Sequence, residues 1–137
     1  MALTIGHEDR LEVEPVQRHD GVAAVIRVSL IQGPELSAIV NNIYLIPEAR
    51  EAYGLVEFLE SLSSLHWTGW SGTKEWSSLE HNLTINAAWR HTGGTTLRVI
   101  LRAEGQYWEA RGTIELDNMA LERIGPESRL VLLGIGS

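Results

Sequence analysis

Between residues 83 and 116, apolar and polar side chains alternate in three consecutive segments, and this constrains the fold more than any other feature. Leu83, Ile85, Ala87 and Trp89 alternate with Thr84, Asn86, Ala88 and Arg90. Leu97, Val99, Leu101 and Ala103 alternate with Arg98, Ile100 and Arg102. Trp108, Ala110, Ile114 and Leu116 alternate with Tyr107, Glu109, Arg111, Thr113 and Glu115. A period of two puts successive side chains on opposite faces of a strand. His91-Thr-Gly93-Gly94-Thr and Glu104-Gly105-Gln106 supply the turns between them. The expectation is three antiparallel strands with one apolar face covered and one charged face open.

The covering element stands just upstream. Ala52, Leu55, Val56, Leu59, Leu62 and Leu65 recur at helical spacing, with Glu57 and Glu60 on the other side. Pro47 suits the first helical position, and Glu48 and Glu51 favour the positive end of the helix dipole. Earlier segments read as strands: Leu11 to Val16, extended by Thr4-Ile5; then Ala24, Ile26, Val28 and Leu30; then Leu36 to Ile46. In the last, Ile39, Ile43 and Leu45 fall on one face, with Val40, Tyr44 and Ile46 on the other, and Asn41-Asn42 marks a bulge. Asp117 is placed to cap a short helix through Met119, Leu121 and Ile124, stopped by Gly125-Pro126. Residues 128–135 are apolar and fit either helix or strand. The fold class expected is α+β: an antiparallel β-sheet with one long amphipathic helix packed on one face and a short C-terminal helix.

The chain has 137 residues, the size of one domain, so residues 1–137 are expected to form a single α+β unit. It contains no cysteine, which removes disulfides, thiolate metal sites and a cysteine nucleophile, and fits a reducing cytoplasm. No basic-then-apolar leader is seen at Met1, and no apolar run is long enough to span a bilayer. The net charge of −7 is uneven: residues 1–66 carry ten acids against four arginines. That disfavours nucleic acid and steers a basic partner.

No catalytic constellation emerges. His7, His19, His66, His81 and His91 are scattered, without the spacing of metal ligands. His19-Asp20 and His7-Glu8-Asp9 could orient an imidazole, but no nucleophile accompanies them. Ser71 lacks the nucleophile-elbow spacing, and no phosphate-binding glycine loop is present. No enzyme activity, metal or cofactor is expected.

Two features remain as candidate sites. Arg98, Arg102 and Arg111 lie with Arg90 on the outward face of the strands, available to a partner or to cross-strand carboxylates. Trp67, Trp70 and Trp76 crowd into ten residues beside Gly69 and Gly72. They either pack the corner between helix and sheet or form stacking platforms for a small ligand or carbohydrate.

The run Trp67-x-Gly-Trp70, Trp76-x-Ser-Leu79-Glu80, with the hairpin at Gly94, Leu97-Arg-Val-Ile-Leu101 and Leu116-Asp-Asn-Met-Ala-Leu121, resembles a family of uncharacterised small actinobacterial proteins. It is more distantly similar to WapI-type immunity proteins, which neutralise bacterial polymorphic toxins. The resemblance implies a non-enzymatic protein-binding module with a basic toxin domain as partner. On that expectation Glu48, Glu51, Glu57 and Glu60, with Arg98, Arg102 and Arg111, are the partner-binding residues. A homodimer through a sheet edge or an uncovered sheet face is compatible with this reading.

Overall fold

A computed structural model describes residues 1–91, 93–103 and 108–134. Among the described residues, eight strands and two helices follow one another. They are β1 (Leu3–Gly6), β2 (Asp9–His19), β3 (Val22–Gln32) and β4 (Leu36–Tyr44), then a 3-10 turn (Pro47–Ala49) and α1 (Glu51–Ser64). Next come β5 (Thr73–Ser77), β6 (Leu83–Trp89), β7 (Thr95–Arg102), β8 (Glu109–Leu116) and α2 (Asn118–Ser128), which runs on as a π-helical turn through Arg129–Leu133.

The strands form two four-stranded antiparallel sheets, ordered β1-β2-β3-β4 and β5-β6-β7-β8. This corrects the expected single sheet under one long helix. The alternation was read correctly, but a period of two fixes which face a residue takes and not which strand it sits beside. Two further strands emerge. Thr4-Ile5 belongs to a separate β1, because the chain reverses at Gly6 (φ +102°), where a Cβ would lie 2.3 Å from the Asp9 carbonyl oxygen. Within the tryptophan segment, Thr73–Ser77 pairs with β6 as an edge strand. The turn expected at Glu104-Gly105-Gln106, and Tyr107, lie outside the described residues.

One apolar cluster spans both sheets and both helices. It joins Leu3, Leu11, Val28 and Ile43 of the first sheet to Leu83, Val99 and Ile114 of the second, with Leu55, Leu59, Leu121 and Leu132 from the helices. The bulge at Asn41-Asn42 is present: Ile26 pairs with Ile43 and Val28 with Val40, so both asparagines oppose Arg27 alone. The extra residue reverses the side-chain phase. Val40 therefore joins Ile43 and Leu45 in the core while Ile39 is exposed, the reverse of the faces expected for these two residues.

The helices also differ from expectation at their ends. Pro47 opens the 3-10 turn, and α1 begins only at Glu51, after Arg50 takes a left-handed conformation. Asp117 caps α2 as expected, its Oδ1 accepting the Ala120 N–H at 2.7 Å. Gly125-Pro126 does not stop that helix. Proline disfavours helical geometry in the residue before it through a clash with that residue's Cβ, and Gly125 has none. The Ser63 hydroxyl of α1 fills the rung there, accepting Gly125 N–H at 2.8 Å and donating to the Leu121 carbonyl at 2.6 Å. A Cβ on Gly125 would lie 2.9 Å from Glu60 Cα, so the two helices cross in close contact. Residues 129–133 are thus helical.

The sheets meet where β3 ends against the free edge of β8. Gln32 Nε2 donates to the Thr113 carbonyl at 3.2 Å, and Thr113 N–H donates to Gln32 Oε1 at 3.0 Å. Gly112 permits the approach, since a Cβ there would lie 2.8 Å from Gln32 Cδ and 3.0 Å from Leu30 Cδ1.

Candidate functional site

The four helix-associated carboxylates have different fates. Glu51 is 7% exposed. Its Oε1 accepts the Ile46 N–H at 3.0 Å and its Oε2 the Leu79 N–H at 3.1 Å, so it ties the helix start to the β5–β6 connection. Buried carboxylates are kept by such bonds, and Glu51 presents no charge to solvent. Glu60 accepts both Arg129 Nε and Nη2 at 2.7 Å in a bidentate pair. The hydrogen bonds from Arg129 hold its carboxyl below the usual carboxylate range, against a smaller opposing effect of burial. Glu48 and Glu57 alone of the four are solvent-exposed.

The tryptophan cluster is divided. Trp67 is 74% exposed, its ring centroid 5.2 Å from that of His66. Trp70 packs against the core and donates its indole N–H to the Ala87 carbonyl at 3.2 Å. Trp76 also packs against the core. Gly69 (φ +69°) carries the loop across Trp89, where a Cβ would sit 2.1 Å from Cδ2, so only glycine fits. Packing the corner between helix and sheet is the role of Trp70 and Trp76, while Trp67 stands apart. Trp108, expected to face inward, is 39% exposed because it precedes the first residue of β8.

The arginines do face outward, as strand parity requires. Arg102 Nε pairs with Glu109 Oε1 at 2.6 Å, and Arg111 Nε pairs with the other oxygen of the same carboxylate. The hydrogen bonds from Arg111 and then Arg102 pull the Glu109 carboxyl below its ordinary value. Arg90 pairs with Glu115 at 2.6 Å. Arg98 is different, with no ion pair or hydrogen bond among the described residues.

The ladder registers place Arg98 in a row across the sheet. Glu75 pairs with Asn86, Asn86 with Arg98, and Arg98 with Thr113. A carboxylate, a carboxamide, a guanidinium and a hydroxyl therefore stand side by side on one face. They line a shallow depression of about 470 Å³, with Arg111 beside them and Gln32 at its rim. Its described lining offers hydrogen bonds from Thr73, Thr84, Asn86 and Thr113 and charge from Glu75, Arg98 and Arg111. Sequence reading had marked Arg98 and Arg111. It missed Glu75, because β5 was not recognised, and Gln32, which falls between the segments read as strands.

Among the described residues no group of three or more histidine or acidic side chains could hold a metal ion, and no helix is long and apolar enough to cross a membrane. Neither a curated protein nor a solved structure matches the chain. A family model described as a family of unknown function, DUF6228, matches residues 4–129. The same stretch holds both sheets, α1 and α2, and on that match the chain belongs to this family.

Proposed function

We propose that the chain is a non-enzymatic protein-binding module of the immunity type, and that its partner seats on the outer face of the second sheet. The observation that carries this reading is the row Glu75–Asn86–Arg98–Thr113, with an exposed arginine that no carboxylate among the described residues engages. Desolvated arginines at the centre of an interface are frequent energetic anchors, and flanking polar groups exclude water around them. The net charge of −7 steers a basic partner such as a toxin domain, and Arg98 would engage a carboxylate or carbonyl of that partner. The sequence resemblance to immunity proteins supports the same class.

Co-expression with a toxin domain encoded beside the gene, followed by sizing chromatography, tests the reading. A stable complex that Arg98→Glu weakens by about a hundredfold or more, and Glu57→Gln does not, is the expected result. Continued toxicity with no complex, or a complex indifferent to Arg98→Glu, overturns it. The alternative of a ligand module built on three stacked indoles has less support. Trp70 and Trp76 are engaged with the core, and only Trp67 presents its ring.

A further inference from the structure

A second concavity, of about 210 Å³, lies between the β2–β3 turn and the start of α1. Its apolar lining includes Val22, Leu45 and Pro47, and Leu45 is buried. Two charged residues that also line it, Asp20 and Arg50, have left-handed backbones, with φ of 51° and 52°. Aspartate tolerates that region, but a long side chain there is uncommon and strained.

The backbone requires the left-handed turn at residue 50. Arg50 N–H closes the 3-10 turn on the Pro47 carbonyl at 3.0 Å, and the Arg50 carbonyl accepts Gly54 N–H at 3.0 Å. Glycine would satisfy this geometry without strain. The chain instead places an arginine here and stacks its guanidinium 4.1 Å from the Tyr53 ring centroid. That stacking holds the cation in place. Among the described residues no carboxylate pairs with it, although Glu48 and Glu51 are near in sequence. The Asp20 carboxylate lies 3.6 Å from His19 Nε2, in a pair whose two side chains are both largely exposed. Glu51 also lines the cavity, and both its oxygens are engaged by backbone N–H groups.

From these residues we infer that this cavity binds a small zwitterion, a free α-amino acid with an apolar side chain. Arg50 takes the carboxylate, Asp20 the ammonium, and Val22, Leu45 and Pro47 the side chain. The presence of Asp20 disfavours a simple anion, and Arg50 disfavours a simple cation. The volume suits a metabolite rather than a larger ligand.

Isothermal titration with L-leucine and L-valine, beside isovalerate and isobutylamine, tests this. At least one amino acid should bind, and each single-charge analogue about tenfold more weakly or worse. Arg50→Gly removes the guanidinium at a backbone that suits glycine, so its melting temperature should hold or rise while affinity falls at least about tenfold. Asp20→Asn, also compatible with the left-handed region, should weaken the amino acid without weakening isovalerate. Absence of binding by both amino acids overturns the inference. So does Arg50→Gly binding as tightly as the native chain, or isovalerate matching L-leucine. The outcome is independent of the second-sheet face, since Arg98→Glu should leave this titration unchanged.

Discussion

The side-chain amide of Gln32 pairs with the backbone of Thr113 as a neighbouring strand would, giving and receiving one hydrogen bond. It occupies a residue of β8 that would otherwise stand open at the sheet edge. Gln32→Ala should cost about 1 kcal/mol in urea unfolding, since two partly solvated bonds are lost. Gly112→Ala should cost about 1–3 kcal/mol by pushing Gln32 and Leu30 away. Because the second change already displaces Gln32, the double variant should lose less than the sum of the two. Additive losses would show that Gly112 acts without Gln32.

Ser63 of α1 is hydrogen-bonded into α2 one residue before Pro126. Its buried hydroxyl bridges Gly125 N–H and the Leu121 carbonyl. Ser63→Ala removes both of these buried hydrogen bonds and should destabilise the chain by about 1–3 kcal/mol. The loss should appear in equilibrium unfolding and in faster hydrogen exchange at Gly125. An unchanged exchange rate at Gly125 would mean that the helix closes its own rung.

Glu60 links α1 to the π-helical turn through Arg129. Its folded carboxyl titrates below its unfolded value, chiefly through those hydrogen bonds. The pair therefore stabilises fully above the ordinary carboxylate range, and the contribution disappears as pH falls through the folded value. Glu60→Gln should be less stable than the native chain near neutrality and converge with it in acid. A constant difference between the two unfolding curves from neutral pH into acid would contradict this assignment.

The divided tryptophan cluster predicts divided consequences. Trp70→Ala removes a ring packed on the core and a hydrogen bond to Ala87, and should cost about 2–4 kcal/mol. Trp67→Ala, at a ring 74% exposed, should stay within about 0.5 kcal/mol of the native chain. Paired thermal denaturation of the two variants checks the contrast, and equal losses would refute it.

What could be read from the sequence was local. Alternation located β3, β6, β7 and β8, and it placed Arg98, Arg102 and Arg111 on the outward side. Apolar spacing found the buried stripe of α1, and Asp117 announced α2. The parts that stayed hidden depend on partners distant in the chain. Glu51 resembles a solvated first-turn acid until Leu79 N–H is brought to it from 28 residues away. Gln32 resembles a turn residue until Thr113 arrives from 81 residues away. Gly125-Pro126 is a helix stop in isolation, yet α2 runs through it where it packs closely on α1. Neither the count of sheets nor the pairing of β5 is encoded in periodicity, which describes faces and not neighbours.

The doubled asparagine of β4 has a consequence for solubility. Without the extra residue, Val40 and Ile43 would fall two apart and both still face inward, so the core does not require the bulge. The insertion instead breaks a nine-residue edge strand, Leu36–Tyr44, that contains no charged side chain and exposes Ile39 and Tyr44. A flat, uncharged edge of that length is a template for another strand. Deleting Asn42 should therefore leave the melting temperature nearly unchanged while lowering the concentration at which light scattering first detects aggregates. An unaltered scattering threshold would assign the bulge some other role. Protection from intermolecular pairing thus rests here on backbone geometry, in a strand that has no charge to supply it.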